Sequence, residues 1–264
     1  AGAMVGPMAG VEVDEEGKFD YDPVKGALGA AAGLAGAGVM ARATSKQLRK
    51  KGWEPSNAQK TQISSTKKTY EKIKPLLNDL GVKGDILDYG AGKGHGAGIL
   101  GADSYEPFPK DWTPDYTDPK DIDKQYDGVV SSYVVNVVPD DVRVGIVKHI
   151  GELLKPGGTG IVLSRGRDVL SAKTGDKLGD MEVLTGKKTF QKGYTPAELK
   201  GFAEQNLGEG FDVETIKIGS TPAAIKITKH GEFVDQSPIK TKKGSVIKRD
   251  QDNVGKRVGS QLYF

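Results

Sequence analysis

The alternation of apolar and polar positions between residues 61 and 228 predicts an α/β domain. Short apolar runs predict strands, and apolar residues repeating every three or four positions predict helices. The predicted strands are 86–88, 104–106, 128–132, 160–164, 211–218 and 222–228, and the predicted helices are 61–81, 94–100, 140–154 and 196–207. Because strands and helices alternate, we predict a doubly wound, mainly parallel sheet; the last two strands, which no helix separates, predict a C-terminal antiparallel hairpin.

The first predicted helix has a candidate N-terminal cap and a candidate interruption. Ser64, Ser65 and Thr66 are residue types that favour a cap. Pro75 lies inside the same helical pattern, and a proline removes one backbone donor, so a kink or a break is expected there.

The chain ends differ in composition from the predicted domain. Residues 1–58 are predicted to form a flexible, low-complexity arm, residues 59–230 the folded domain, and residues 231–264 a flexible, basic and polar tail. The uncharged Gly/Ala-rich run 26–41 is shorter than the roughly 18 apolar residues that a membrane span needs. Its small residues at four-residue spacing would permit membrane contact, but a flexible or loosely helical arm is the favoured interpretation.

Composition excludes several kinds of chemistry. The chain has 264 residues and no cysteine, so disulfides, cysteine-bound zinc and thiol nucleophiles are excluded. Its three histidines are too scattered to predict a metal site. The formal net charge of +3 neither requires nor excludes a nucleic-acid partner. No basic and apolar leader with a cleavage site is present, so a cytoplasmic location is expected.

Residues 85–100 are the most informative segment of the chain. The apolar pair Ile86-Leu87 ends at Asp88, and a turn with Gly90, Ala91, Gly92 and Gly94 follows before apolar spacing resumes. A strand, a glycine turn and a helix start in this order form the junction at which α/β sheets bind nucleotides. Glycine there permits positive φ and close approach of a ligand to the backbone.

Four motifs in order resemble those of class I S-adenosylmethionine-dependent methyltransferases. These are Asp88-Tyr-Gly90-Ala-Gly92-Lys-Gly94, then Glu106 at the end of Ser104-Tyr105-Glu106, then Tyr126-Asp127-Gly128-Val-Val-Ser-Ser, and Leu153-Leu154-Lys155-Pro156-Gly157-Gly158. The resemblance covers about two-thirds of the chain and implies a Rossmann-like fold. It implies S-adenosylmethionine as cofactor, with Glu106 on its ribose hydroxyls; Asp88 would either attract the cofactor's ammonium group or orient the turn. The implied cofactor-binding residues are Asp88, Gly90, Ala91, Gly92, Gly94, Glu106, Ser131 and Ser132.

The acceptor side is expected at the end of the fourth strand of that family and in the loops beyond it. Here the resemblance selects Tyr133, Asn136 and Arg165 as candidate catalytic residues. The Asp/Asn-Pro-Pro-Tyr/Phe motif, with which DNA aminomethyltransferases grip the target amine, is absent from Ser131–Pro139. Gln191 and Lys192 are further candidates near the acceptor, and Gln62, Ser64 and Ser65 are candidates for a lid over the cofactor.

A softer resemblance concerns origin and partners. The segments Ser131–Pro139 and Thr189–Thr195 are similar to uncharacterised methyltransferases found in phages and beside DNA-modification genes. This implies a phage enzyme in the host cytoplasm or in the virion, with nucleic acid slightly favoured as acceptor over protein or a small molecule. The basic chain ends would add sequence-independent attraction to phosphates, or would be solvated tails.

Two other functions remain open at this point. A non-catalytic phage or virion protein with a methyltransferase-like core would explain the Gly/Ala run and the arms. An NAD-dependent enzyme would also use a glycine turn, but the Asp88-x-Gly90-x-Gly92 arrangement and the Pro-Gly-Gly turn disfavour it. Three of the site residues also have a purely structural interpretation. Asp88 would then be an acid of the turn, Glu106 a surface acid at a strand end, and Arg165 part of a strand-end salt bridge.

Overall fold

The computed structural model describes residues 43–61, 66–179 and 181–231, and three short strand pairs outside those ranges. The chain divides into two compact units, Ala1–His230 and Gly231–Phe264. The helices of the first unit are α1 (Ser45–Arg49), α2 (Thr66–Asp79), α3 (His95–Leu100), α4 (Asp140–Leu153) and α5 (Pro196–Leu207), with 3-10 turns at Pro55–Thr61, Pro119–Asp121 and Arg167–Ser171. The strands of its two larger sheets are β1 (Ile86–Tyr89), β2 (Asp103–Tyr105), β3 (Tyr126–Ser132), β4 (Leu154–Ser164), β5 (Gly175–Gly179), β6 (Glu182–Thr185), β7 (Phe190–Lys192), β8 (Phe211–Thr215) and β9 (Ala223–Lys229).

Six strands form one sheet in the order β8-β9-β4-β3-β1-β2. Strand β1 pairs in parallel with β2 and β3, and β3 pairs in parallel with β4. Strand β9 is antiparallel to both β4 and β8, so the last two strands form the expected hairpin. The prediction of a Rossmann-like, mainly parallel sheet with a C-terminal antiparallel strand is confirmed.

Both faces of the sheet are covered. Val147 and Ile150 of α4 and Leu199 and Phe202 of α5 pack on one face. Tyr70, Ile73 and Leu77 of α2 and Leu100 of α3 pack on the other face. The sheet is therefore wound on both sides, and its ligand-binding edge is expected at the carboxyl ends of the parallel strands.

Helix α2 runs without a break through Pro75, where a kink or break was predicted. Glu71 and Pro75 both lie on the exposed face, so the carbonyl that loses its helical donor can bond to water. The opposite face holds the buried residues Ile73 and Leu77, and their burial stabilises the helix across the proline.

The predicted turn Lys155–Gly158 lies inside β4 rather than before it. Pairing moves from Tyr126 opposite Leu154 to Gly128 opposite Thr159, so the four residues between bulge out of the ladder. Gly157 adopts a φ of 78°, a conformation that glycine tolerates without strain.

Part of the predicted N-terminal arm is folded. Leu48 and Trp53 are buried with Leu184 and Phe190, which belong to a three-stranded antiparallel sheet, β5-β6-β7, inserted between β4 and α5. The sequence signal is weak because Leu48, Trp53 and Phe190 each stand alone among polar neighbours, and the two residues of the arm meet their partners far along the chain. The expectation of a flexible arm thus does not hold for residues 43–58.

The remaining short strands lie nearer the chain ends. Val11–Val13 pairs with Phe19–Tyr21, Ile239–Lys240 with Val246–Ile247, and Arg257–Val258 with Gln261–Leu262. The Gly/Ala-rich run 26–41 lies outside the described residues. Among the helices that are described, none combines the length and apolar character required to cross a bilayer.

Candidate functional site

The glycine turn follows β1 and leads into α3 at the carboxyl edge of the sheet. Gly90, Gly92 and Gly94 have φ angles of 76°, 63° and 75°, which L-residues rarely adopt. The amides of Gly90 and Ala91 both donate to the carbonyl oxygen of Tyr105, at 2.8 and 2.9 Å. The turn is therefore bound directly to the end of β2, the strand that Glu106 follows.

Side chains of the protein itself approach two of these glycines closely. A methyl group on Gly90 would lie 2.4 Å from Cγ2 of Val134, and one on Gly94 would lie 3.0 Å from the indole ring of Trp112. The glycine pattern in the sequence predicts that a ligand makes this close approach. In the structure Val134 and Trp112 account for it at Gly90 and Gly94.

Glu106 lies beside the turn and is 5% exposed. Its Oε2 accepts a hydrogen bond from the Gly92 amide at 2.7 Å, and its Oε1 accepts one from the Phe108 amide at 3.0 Å. A carboxylate can accept about four hydrogen bonds, so holding the turn and binding ligand hydroxyls are compatible tasks. Glu106 is not a surface acid at a strand end, because its carboxylate is bonded to the predicted cofactor turn.

Asp88 points away from solvent and is 0% exposed. The Tyr70 hydroxyl donates to its Oδ1 at 2.7 Å, while Oδ2 has no well-formed hydrogen bond among the described residues. A methyl group on Gly96 would lie 2.3 Å from Oδ2, so α3 packs directly over the carboxyl group. Of the two roles left open for Asp88, orienting the turn fits this burial.

Burial also changes the protonation of Asp88. Desolvation raises the pKa of Asp88 to about 7, although the Tyr70 hydroxyl and the Ala97 amide lower it, and the Glu106 charge raises it further. The pKa of Tyr70 is raised well above its ordinary value, chiefly by burial and by the Asp88 charge. Tyr70 therefore remains a hydrogen-bond donor to Asp88 across the physiological pH range.

Ser131 and Ser132 end β3 next to the turn. Both side chains are buried, and neither hydroxyl has a well-formed hydrogen bond among the described residues. Together with Asp88 Oδ2 they place three buried oxygens that lack a well-formed hydrogen bond among the described residues at the ends of adjacent strands. Such oxygens normally bond to protein, water or a ligand, so this edge fits a polar ligand.

Tyr133 and Arg165 both follow strand ends at the same edge of the sheet. Tyr133 has a φ of 62°, uncommon for a bulky residue, and its hydroxyl lies 3.2 Å from Thr221 Oγ1. The Arg165 guanidinium bonds to Asp168 Oδ2 at 2.9 and 2.5 Å. Arg165 is thus engaged in the strand-end salt bridge that was its structural interpretation.

Asn136 lies beneath the insertion and is 1% exposed. Its Nδ2 donates to Gln191 Oε1 at 3.3 Å, and its carbonyl accepts from the Lys192 amide at 2.7 Å. Gln191 is buried as well. Asn136 and Gln191 thus join the β3–α4 loop to β7, and neither presents its side chain to solvent.

A buried charged cluster, which is not among the predicted site residues, lies beside Asn136 and Gln191. Arg143 in α4 is 1% exposed; its Nη1 donates to the Tyr194 hydroxyl at 2.7 Å, and its Nη2 lies 3.8 Å from Glu182 Oε1. A cavity of about 660 Å³ adjoins it, lined by Arg143, Lys192, Tyr194, Glu198, Gly201, Phe202, Glu204 and Gln205. The sequence does contain a signal for the burial of Arg143, because its spacing places it on the same helical face as the apolar residues Val147 and Ile150.

Trp112 and Tyr70 were also missed as residues of the turn. Trp112 stands in a Pro/Asp-rich loop without periodicity, so no local pattern indicated where it would pack. Tyr70 could have been assigned to the buried face of α2 from its spacing to Ile73 and Leu77. The lid candidates Gln62, Ser64 and Ser65 lie outside the described residues.

No protein-family model and no curated protein matches the chain. A Clostridium acetobutylicum S-adenosylmethionine-dependent methyltransferase structure aligns at 13% identity and a TM-score of 0.47, covering 65% of this chain and 94% of its own. The structure of a Burkholderia thailandensis 1,6-didemethyltoxoflavin-N1-methyltransferase contains bound 1,6-didemethyltoxoflavin and S-adenosylhomocysteine. It aligns at 12% identity and a TM-score of 0.49, covering 74% of this chain and 93% of its own. A Streptoalloteichus sugar N-methyltransferase aligns at 11% identity and a TM-score of 0.45, covering 75% of this chain and 97% of its own. All three of these neighbours are named as methyltransferases, and matches this distant leave the function to be inferred from this chain's own residues.

Proposed function

We propose that this protein is an S-adenosylmethionine-dependent methyltransferase. The observation that carries the proposal is the bond between the Glu106 carboxylate and the Gly92 amide, which places an acid against a positive-φ glycine turn at the carboxyl edge of a parallel sheet. An acid after the second strand of such a sheet is suited to bind ribose hydroxyls. The four sequence motifs support the same cofactor, because they occur in the expected order.

The residues of the turn divide the work of holding this cofactor. Glu106 would accept hydrogen bonds from the ribose hydroxyls. The backbone around Gly92, between the two glycines that Val134 and Trp112 cover, would lie against the ligand. Asp88 and Tyr70 would not contact the ligand; they bond to each other in the protein interior and hold α3 and the turn in place. Ser131 and Ser132 end β3 at the same edge, and their buried hydroxyls would offer further hydrogen bonds to this ligand.

The bound cofactor would supply an activated methyl carbon on a sulfonium, which an acceptor nucleophile takes in line as the carbon–sulfur bond breaks and a neutral thioether leaves. The chain's contribution is alignment and exclusion of water, and a base is required only for an acceptor that must lose a proton. Tyr133 is the candidate that meets an acceptor, since its strained backbone follows β3 directly. Asn136 and Arg165 act in this proposal as positioning residues through Gln191 and Asp168.

Nucleic acid is the first acceptor class to examine, followed by protein side chains and small molecules. The basic composition of residues 231–264 supports this order, since lysine and arginine attract phosphates without sequence preference. Phage origin and a cytoplasmic or virion location remain predictions.

Calorimetric titration with S-adenosylmethionine tests the proposal, with Glu106→Ala as the variant. We expect saturable binding by the wild type and a loss of at least about a hundredfold in the variant, because two hydrogen bonds to a charged group contribute roughly 1.5–3 kcal/mol each. Glu209→Ala, at an exposed acid after α5, is the matched control and should bind as the wild type does. Thermal melting of each protein separates lost binding from lost folding.

Absence of binding at millimolar cofactor in a folded wild-type protein would contradict the proposal and favour a non-catalytic role. Nicotinamide-cofactor binding without S-adenosylmethionine binding would instead favour an oxidoreductase. Binding that Glu106→Ala leaves intact would place the cofactor elsewhere than at the glycine turn.

A further inference from the structure

The loop that follows Glu106 folds back over the glycine turn and is bonded to it at two points. At its start, Glu106 Oε2 accepts a hydrogen bond from the Gly92 amide at 2.7 Å. At its other end, the Trp112 indole N–H donates to the carbonyl oxygen of Gly92 at 2.8 Å. We call residues 106–112 the strap.

Trp112 touches the turn with its ring as well as with its N–H group. Three ring atoms would lie 3.0 to 3.2 Å from a methyl group on Gly94, so the indole packs against the backbone at the start of α3. The side chain is only partly buried, and part of the indole is therefore accessible. Phe108, on the same strap, is 41% exposed and is the most exposed large apolar side chain in the described part of the chain.

Gly92 is held from both sides of its Cα atom. Its amide donates to Glu106 and its carbonyl accepts from Trp112. A change at Trp112 therefore reaches the Glu106 carboxylate through a single residue. Rigid placement of a binding group lowers the conformational cost of binding.

We propose that Trp112 is a further cofactor-site residue, whose indole holds the strap on the glycine turn and forms a wall against a nucleoside-type ligand bound there. This inference rests on the proposed function, since the nucleoside is that of S-adenosylmethionine. Two effects act together: the indole N–H positions Gly92 and thereby Glu106, and the aromatic surface packs against the ligand. Stacking on an aromatic side chain is favourable for any base.

The test measures ligand binding and indole fluorescence in the same titrations, with S-adenosylhomocysteine as the probe because it cannot transfer a methyl group. The chain has only two tryptophans. The other one, Trp53, is buried and does not belong to the strap. We expect a saturable fluorescence change in the wild type with the Kd that calorimetry gives. The change should vanish in Trp112→Phe, in which Trp53 is the remaining tryptophan.

Affinity should separate the two effects. Trp112→Phe keeps an aromatic ring and loses the N–H bond, so we expect affinity to fall severalfold. Trp112→Ala loses both, so we expect a fall of roughly tenfold to a hundredfold. Thr113→Ala, at the next and exposed position of the same loop, is the matched control and should leave the Kd unchanged.

Each outcome bears on the proposal separately from the function. Normal calorimetric binding with no fluorescence change, or with an unaltered Kd in Trp112→Ala, would overturn the role of Trp112 and leave the methyltransferase proposal standing. No binding by the folded wild type would overturn both. If Trp112→Ala fails to fold, the wild-type fluorescence and Trp112→Phe still decide between contact and a purely structural role.

Discussion

Replacing Asp88 with asparagine should change how the stability of the protein depends on pH. The Asp88 carboxyl is fully buried, Tyr70 donates to one of its oxygens, and α3 packs over the other at Gly96. Burial raises the pKa of Asp88 from 3.8 to about 7. Asparagine has nearly the shape of the protonated acid and cannot ionise.

The sign follows from where the proton is bound. Below about pH 4 the carboxyl group is protonated in both the folded and the unfolded chain. Between about pH 4 and pH 7 the unfolded chain releases a proton that the folded chain retains, so the free energy of unfolding falls as the pH rises. The displacement of the pKa from 3.8 to about 7 corresponds to ~4 kcal/mol at 1.36 kcal/mol per pKa unit, and above pH 7 this group adds no further change.

Urea unfolding of the wild type and of Asp88→Asn, followed by circular dichroism between about pH 4 and pH 8, measures this difference. The stability of the variant relative to the wild type should increase by up to ~4 kcal/mol from pH 4 to pH 7 and then level. Asp127→Asn is a control that should differ from the wild type by a constant amount over this range, because the bond to Lys155 lowers the pKa of Asp127 and its contribution is already complete above about pH 4. A pH-independent difference between Asp88→Asn and the wild type would refute the reasoning.

Two further predictions concern stability, and chemical denaturation checks both. Gly90→Ala should destabilise by about 3 kcal/mol, because it combines a positive φ with a methyl group 2.4 Å from Val134; Gly98→Ala, in α3 with no atom within 4 Å of the added methyl group, should instead stabilise by up to about 1 kcal/mol. Equal effects at the two glycines would contradict the packing argument. Glu182→Gln should lower the free energy of unfolding by about 3 kcal/mol, because Glu182 Oε1 lies 3.8 Å from Nη2 of the buried Arg143 and 3.8 Å from Nζ of Lys192. A change below about 0.5 kcal/mol, typical of a surface site, would show that the carboxylate is not coupled to these two cations.

The candidate site was predictable where the information was local. The turn from Gly90 to Gly94 was visible because positive φ demands glycine at particular positions, whatever packs around it. Glu106 was selected by the resemblance to the methyltransferase motifs, and its carboxylate accepts a hydrogen bond from the Gly92 amide in the structure. The roles of Asp88 and Asn136 were not predictable, because a residue type does not tell whether its side chain faces a ligand or the protein interior.

The sequence by itself determined the order of helices and strands in and around the six-stranded sheet, the winding of that sheet and the position of the glycine turn, but not α1 or the insertion β5-β6-β7. These depend on periodicity and turn chemistry within a few neighbouring residues. Only the tertiary structure decided that Trp112 would bond to Gly92, that Tyr70 would bond to Asp88, and that the Ala43 amide would reach Glu182, 139 positions away. Such contacts depend on how whole elements pack, since many sequences with the same local pattern could bring different side chains together.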